Sequence, residues 1–522
     1  MNSKMTGGKA EKTLYVAVLA LTEFYLLVAV FRHFEPAYDR LFAVVQWASL
    51  LLIPAALLSC FAAVRRARRD DAERKRLLRS YGSYEQIYLI FVFFWYIVSV
   101  AVRQYVAGGQ HFKWNDAWMY VSGMTAFLFF PFIRYYGQEK GKRIIEIMIH
   151  TLVIPYALLS AWIIWNYFRM NYIRFPSGQQ LMREAPAVLC LSGLNHMRLG
   201  EQALIMIGTC LYMMLTQKPG IKIIYAGCFA ANFVLLVLTN ARTSWYMAVG
   251  MLACAAFLFC WNRMEKRKNN LRIVIGILAA VAVILCCQGT RTGVFQLLKK
   301  VTTEAERTEA TAAAETKGTP ESSALWLQPL RHDAGETLYF RSDAEPYAVC
   351  LSDEVPEADD DYIRTIHNNR YQLNERIKIY KACLFVMFTS RNRFLFGVTP
   401  SDIGYMIKGV YGVDIAYSHA HNFFIQMGIS YGVPTMIATI VFAVSLLVRS
   451  IRILFINRKK LFPGAWMICL LVLTFLGADM FESGLNASPD FFCPAFYLLA
   501  GWLVSLDMDT RAPKKNGKHA WF

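Results

Sequence analysis

Long apolar runs separated by shorter polar segments make up most of the chain. The runs are roughly 16 to 24 residues long, which is the length that a helix needs to cross a hydrocarbon core of ~30 Å. A helix is the expected element there, because it satisfies its own backbone hydrogen bonds in lipid. The pattern predicts twelve spans, near residues 13–31, 41–63, 87–102, 117–133, 144–166, 201–216, 223–238, 244–261, 273–288, 425–448, 464–478 and 493–508.

The order of these runs predicts an all-α protein, a polytopic transmembrane helical bundle with one large extracytoplasmic loop. Residues 1–288 hold nine spans, residues 425–508 hold the last three, and residues 509–522 form a cytoplasmic tail. The loop is residues 289–424, and a connection that long usually has a function of its own. Within it, residues 303–323 are rich in Ala, Thr and Glu, which predicts a frayed helix or a flexible insert.

Composition supports a membrane protein, and the distribution of charge predicts its orientation. Hydrophobic residues make up 56% of the chain and charged residues 18%, below the ~25% typical of soluble domains. If the connections are assigned alternately to two sides, the first side holds 31 Lys and Arg, the short connections of the second side 9, and the long loop 15. Basic short loops stay in the cytoplasm, so both termini are expected inside and the loop outside the inner membrane. The net charge of +18 therefore indicates topology rather than nucleic-acid binding.

The twelve cysteines do not form a disulfide framework. Nine of them lie in or at the ends of predicted spans, where a thiol packs as a small hydrophobe. Cys190, Cys350 and Cys383 are expected outside the membrane. A disulfide between two of these three is left open.

Polar residues of interest gather where the long loop returns to the membrane, in the run Ser418-His419-Ala420-His421-Asn422. The two histidines could be metal ligands, but residues two apart on a helix point in different directions, and no third ligand is near in sequence. They could also be structural residues of the loop. A third interpretation makes His421 a general base, since a neutral imidazole can accept a proton near pH 7, with Asn422 orienting its ring.

Arginines occur at three predicted span or helix starts on the same side of the membrane. Arg242 lies in the tight turn between spans seven and eight, Arg198 at the start of span six, and Arg376 at the start of an amphipathic helix in the loop, residues 376–388. An arginine at headgroup level could simply reach lipid phosphates. A guanidinium group in a tight turn could instead make bidentate contacts to a pyrophosphate.

The order of these motifs resembles the O-antigen ligase and O-antigen polymerase superfamily of bacterial membrane glycosyltransferases. His421-Asn422, nine further residues and then Gly432 are similar to the family's histidine motif, with Thr435 in place of its last glycine. The turn 240–242 resembles the family's Ser-Arg turn between two central spans. The layout of twelve spans with a long loop after the ninth is also similar.

A third similarity lies in the loop before the histidine motif. The family has an arginine, a helix and then Gly-x-Gly, which the segment from Arg376 to Gly397 resembles, with Thr399 in place of the second glycine. The resemblance covers residues 190–450 by motif.

The resemblance implies a metal-independent, inverting glycosyltransferase without a cofactor, which acts in cell-surface polysaccharide biosynthesis. The expected donor is a glycan on undecaprenyl pyrophosphate, and the expected acceptor is a hydroxyl group of a glycan or lipid at the outer face of the cytoplasmic membrane. Membrane lipids are further partners. The residues assigned by the resemblance are His421 as base, Arg242, Arg376 and Arg198 on the pyrophosphate, and Asn422, His419 and Gly432 in supporting roles.

Two alternatives stay open. The motifs do not separate a ligase from a polymerase, nor do they identify the sugars. A carrier or flippase for lipid-linked glycans would also need arginines outside and a large apolar body. The absence of an evident internal repeat argues against a carrier built from inverted repeats.

Overall fold

The structure is a computed structural model that describes most of the predicted spans and part of the long loop. The described residues are 9–31, 47–48, 50, 52–68, 71, 74–75, 78, 82–106, 141–165, 181–184, 188–191, 196–239, 241–264, 269–315, 374–398, 403–404, 420–457, 461, 464–481, 485 and 492–511.

Nearly all of these residues are helical. In chain order the helices before the long loop are α1 Lys9–Phe31, α2 Leu52–Ala67, α3 Tyr84–Val106, α4 Gly141–Trp165, α5 His196–Thr216, α6 Pro219–Thr239, α7 Arg242–Arg263 and α8 Asn269–Glu315. Those that follow are α9 Asn374–Phe388, α10 Arg391–Phe396, α11 Phe423–Tyr431, α12 Val433–Ile451, α13 Ala465–Asp479 and α14 Phe492–Arg511. A short π-helical stretch, Arg452–Asn457, continues α12.

Seven of the described helices are long and apolar enough to cross a membrane, namely α3 to α8 and α12. Shorter apolar helices lie within α1, α13 and α14, where the first, eleventh and twelfth spans are predicted. The fourth predicted span, 117–133, lies outside the described residues. The helical membrane architecture is therefore confirmed, while the number twelve stays a prediction.

One departure from helix occurs in the segment before α5. β1 Leu181–Glu184 pairs antiparallel with β2 Val188–Leu191, with Leu181 opposite Leu191. Each strand has only four residues, which is too few for an alternation of apolar and polar residues to indicate a strand.

The long loop is described at its two ends. α8 continues without a break from its apolar part to Glu315, so residues 303–315 of the expected insert are helical, and residues 316–323 lie outside the described part. At the other end, the amphipathic helix expected from residue 376 is present as α9.

α9 carries a buried face that forms a second apolar core with the re-entrant segment. Its buried residues recur at helical spacing, and they pack with Ile429 of α11 and Val433 of α12. Cys383 is part of this face as a buried free thiol, and burial raises its pKa above the ordinary range. Cys383 therefore forms no disulfide in the structure, and a disulfide between Cys190 and Cys350 stays an open alternative because Cys350 lies outside the described residues. The buried residues of α9 are Ile379, Ala382, Cys383, Val386 and Met387.

A buried ion-pair network joins α3, α12 and α14. Arg449 contacts Glu85 at 2.6 Å and Asp507 at 2.8 Å, and both carboxylates are fully buried. Arg452 also contacts Asp507, at 3.0 Å. Removal of one partner from such a network would leave a buried charge uncompensated. The network fixes these three helices at one end of the bundle, and Gly432, at the start of α12, marks the opposite end.

Candidate active site

The turn between α6 and α7 places Arg242 at the first position of a helix. Thr239, the last residue of α6, accepts a hydrogen bond from the backbone N–H of Ala241 at 3.5 Å and donates to Leu236 at 2.8 Å. Ala241 provides no side-chain cap to the N–H groups of α7. Arg242 is exposed. The turn thus presents an arginine and an uncapped helix N-terminus together, an arrangement that favours an anion.

α9 brings a second predicted arginine to this turn. Arg376 donates to the Thr243 side-chain oxygen at 3.4 Å, although the two residues are 133 positions apart. The loop helix is therefore seated on the residue that follows Arg242. Arg376 therefore lies beside the turn that carries Arg242.

The third predicted arginine approaches the turn from α5. A Cβ atom on Gly200 would lie 2.6 Å from the Cβ of Ala241 and 3.2 Å from the Ser244 hydroxyl oxygen, so the start of α5 packs directly on the turn. Arg198 pairs with the buried Glu201 at 3.5 Å, and its side chain is 26% exposed. Arg198 therefore lies two residues before the contact of α5 with the turn, and its guanidinium group is held by Glu201.

A fourth arginine was not identified from the sequence. The guanidinium carbon of Arg291, on α8, lies 5.4 Å from the centre of the Trp245 ring, a cation–π distance. Trp245 is buried and lies three positions after Arg242. Arg291 follows the end of the ninth predicted span, and that position was the only available signal.

His421 has an unusual backbone conformation. Its φ is +49°, and it is the one non-glycine residue with positive φ within the described ranges. Such a conformation costs about 1–3 kcal/mol and persists where the surroundings impose it, often at functional sites. The side chain is partly exposed. His419 lies outside the described residues.

Contacts from three elements hold the backbone around His421. Its carbonyl oxygen accepts a hydrogen bond from the Tyr380 hydroxyl of α9 at 2.9 Å. Asn422 is the N-cap of α11, since its Oδ1 accepts from the Ile425 N–H at 3.0 Å. Its Nδ2 donates to the Met480 carbonyl oxygen at 2.7 Å, at the end of α13. Asn422 therefore supports His421 through the backbone that carries it.

The nine residues between the His-Asn pair and Gly432 are one helix, α11. Asn422 caps its beginning, and Gly432 ends it with a φ of +94°. A Cβ on Gly432 would lie 2.0 Å from the carbonyl oxygen of Leu395, at the end of α10. Gly397, with a φ of +71°, approaches the other side of the same junction, where a Cβ would lie 2.6 Å from the Ile429 carbonyl oxygen. The two motif glycines thus allow the end of α10 and the junction between α11 and α12 to pack against each other.

α3 holds this junction from a third side. The indole N–H of Trp95 lies 3.0 Å from both the Leu395 and the Tyr431 carbonyl oxygens. Arg103 donates to the Ser430 carbonyl oxygen at 3.2 Å. At the position of the family's last glycine, the Thr435 hydroxyl is buried and donates to Tyr431 at 3.2 Å. The substitution is accommodated because this side chain lies inside the bundle.

The described residues contain no group of three or more His, Cys, Asp or Glu side chains that could hold a metal ion. The arrangement of the described site is a set of arginines around one turn and a strained histidine nearby. Such a site can bind a phosphorylated group and accept a proton beside it.

Comparison with known families agrees with this arrangement. Residues 227–440 match the O-antigen ligase family model, and this confirms the resemblance seen in the motifs. The matched segment runs from α6 to α12 and includes Arg242, Arg376, His421 and Gly432. Together with the apolar helices, the match indicates an integral membrane protein with a glycosyl-transferring function of the ligase or polymerase type. No curated protein matches the chain.

Proposed function

We propose that the protein is a metal-independent, inverting glycosyltransferase that uses undecaprenyl pyrophosphate-linked glycan as donor. The acceptor is a hydroxyl group of a glycan or lipid, and the reaction takes place at the outer face of the cytoplasmic membrane. The family match supports the reaction class. The excess of Lys and Arg in the short connections of the first side supports the orientation.

The observation that carries this proposal is the position of α9 between the two groups of residues. Arg376 and Tyr380 are four residues apart, so they lie on one face of the helix with a rise of ~6 Å between them. Arg376 contacts Thr243, beside Arg242, and Tyr380 contacts the backbone of His421. One helical turn thus connects the arginine turn with the histidine.

The arginines are assigned to the donor pyrophosphate. Arg242 is exposed and makes no hydrogen bond or ion pair with another described residue, so its guanidinium group is available to a ligand. Arg376 and Arg198 add positive charge from α9 and α5. Preorganised cations next to developing negative charge stabilise the transition state, commonly by several kcal/mol.

In the proposed step, the acceptor oxygen attacks the anomeric carbon of the donor sugar. A carbon–oxygen bond forms there as the bond from the anomeric carbon to the pyrophosphate oxygen breaks on the opposite face, which inverts the configuration. The electron pair leaves with the pyrophosphate, whose added charge is stabilised by Arg242 and its neighbours. His421 takes the proton of the acceptor hydroxyl group. Because pyrophosphate is a good leaving group, no general acid is required.

The test is a transfer assay with purified protein in liposomes, without ATP or an ion gradient and with a chelator present. Lipid-linked glycan is the donor, and a second lipid-linked glycan and a lipid acceptor are tried separately. We expect a joined product with one of them, and loss of product in Arg376→Ala but not in Arg391→Ala, which alters an exposed arginine of α10. Movement of glycan across the membrane without a joined product would instead identify a carrier.

A further inference from the structure

We infer that a groove between α6, α7 and α8 holds the polyprenyl chain of the donor; this inference rests on the proposed function. The groove has a volume of about 690 Å³ and is also bordered by α5 and the start of α13. Its lining is almost entirely apolar and includes Phe229, Phe233, Ala256, Phe259, Val283 and Thr290.

The groove extends along the bundle from the arginine turn towards the opposite end. On α7 its lining runs from Leu252 to Phe259, a rise of ~10 Å that begins ten positions after Arg242. On α8, which runs the other way, the last lining residue is Thr290, next to Arg291. The groove therefore begins beside Arg291 on α8 and ends at Phe259 on α7, which lies ~25 Å along the helix from Arg242.

Aromatic rings connect the groove to the arginines. Phe233 lines the groove, and its ring centre lies 5.7 Å from that of Trp245. Trp245 also lies 5.4 Å from the guanidinium group of Arg291. The positive charge thus stands at one end of the groove, and the rest of the lining is apolar.

A ligand that fits both parts has a long apolar chain and an anionic group at one end. A polyprenyl pyrophosphate has this form, and its pyrophosphate would lie at the turn that carries Arg242. The chain attached to it must leave the turn through apolar surroundings, because polyprenyl carbons are excluded from water. Phe259 and Cys286 line the groove and are exposed among the described residues, so a chain can enter from the side.

The first test compares two tryptophan variants of α7 for binding of polyprenyl diphosphates without a sugar. Ala256→Trp fills the groove, whereas Cys254→Trp alters an exposed residue of the same helix that does not line it. Ala256→Trp should weaken binding of undecaprenyl diphosphate at least ~10-fold, because the indole ring occupies the space in which the chain packs. The same variant should bind geranyl diphosphate, whose chain is short, with an affinity within about twofold of that of wild type. Cys254→Trp should change neither.

A chain-length effect equal in both variants, or none in Ala256→Trp, would overturn the groove assignment. Wild-type protein provides a second measurement if a variant does not fold. A polyprenyl diphosphate with a photoreactive group along its chain should label peptides that contain Phe229 or Phe259, and undecaprenyl diphosphate should suppress this labelling. Suppression by phosphatidylglycerol alone would mean that an ordinary phospholipid occupies the groove and would also overturn the inference.

These measurements separate this inference from the proposed function. If the chain-length effect is found but wild type joins no glycan to any acceptor, the groove stands and the transfer activity falls. If transfer is found but depends on chain length equally in Ala256→Trp and Cys254→Trp, the transferase stands and the groove assignment falls.

Discussion

The hydroxyl group of Tyr380 donates a hydrogen bond to the carbonyl oxygen of His421 at 2.9 Å. His421 is held at a φ of +49°, a conformation that needs support from its surroundings. Tyr380 also lies one helical turn beyond Arg376, which contacts the arginine turn. Movement of α9 would therefore alter the histidine backbone and the proposed pyrophosphate site together.

Removal of the Tyr380 hydroxyl group should reduce turnover without weakening the binding of the donor. Tyr380→Phe loses a hydrogen bond of about 0.5–1.5 kcal/mol, so we expect kcat to fall about 2- to 10-fold while the KM for the donor stays unchanged. Tyr84→Phe is the matched control, because its hydroxyl also bonds a backbone oxygen, that of Ala438 at 3.3 Å, at the other end of α3. A rise in donor KM with unchanged kcat would show that Tyr380 does not position the histidine.

His421→Ala should abolish most of the transfer while the protein still inserts and binds donor. Positioned base catalysis contributes about 10²–10⁴-fold, so a decrease of at least ~10²-fold in kcat is expected. His419→Ala should have a smaller effect, since only His421 has the family spacing to Gly432. Equal losses in the two variants together with inhibition by a chelator would point to a metal site. Full activity in His421→Ala would exclude it as the base.

A lysine at position 242 should not replace the arginine in function, so Arg242→Lys should bind the donor poorly. Lysine keeps the charge but loses the planar fork that binds two phosphate oxygens, so donor affinity should fall at least ~10-fold. Arg263→Lys, at the exposed opposite end of α7, provides the control. Binding of labelled undecaprenyl diphosphate measures the difference. Near-normal affinity in Arg242→Lys would mean that the residue only anchors the turn to lipid phosphates.

The predicted topology can be checked with single cysteines in a background without the native ones. Glu315→Cys lies at the end of α8, in the expected outer loop, and Lys515→Cys lies in the expected cytoplasmic tail. A thiol reagent that does not cross the membrane should label only the first in intact cells. Equal labelling of both would contradict the orientation inferred from the basic residues.

The sequence indicated the helices that carry the candidate residues, but not the contacts between them. Periodic apolar runs indicated the helices, and the motif order indicated that Arg242, Arg376 and His421 act together. The contact of α9 with the turn is tertiary: Arg376 contacts Thr243 across 133 positions, and no local pattern encodes that contact. The same holds for Arg291, whose contact with Trp245 depends on the packing of α8 against α7.

The sequence pattern also did not indicate the burial of Glu85 or the capping role of Asn422. Glu85 lies two residues before the predicted span 87–102, so the apolar pattern assigned it to a polar connection. In the structure its carboxylate is fully buried against Arg449. Asn422 was expected to orient the imidazole ring, but its role as a helix cap became visible only with the start of α11. Burial and capping depend on where an element begins, and apolar periodicity determines such boundaries only within a few residues.

The last prediction concerns the glycine that ends α11. Gly432→Ala would place a Cβ atom 2.0 Å from the Leu395 carbonyl oxygen at a φ of +94°, so backbone strain and overpacking combine. A destabilisation of about 2–6 kcal/mol is expected, measured as a lower free energy of unfolding in detergent. Gly227→Ala is the control, because a Cβ there meets no atom within 4 Å. Similar stability of the two variants would show that α10 does not approach α11 this closely.

A double variant distinguishes local strain at Gly432 from the shared junction. Gly397→Ala would bring a Cβ atom to 2.6 Å from the Ile429 carbonyl oxygen, on the other side of the same contact between α10 and α11. If both glycines serve one close approach, either substitution alone already separates the two segments. The double variant should then lose less stability than the sum of the single losses, by more than ~0.5 kcal/mol. Strict additivity would mean that each glycine is required only by its own backbone conformation.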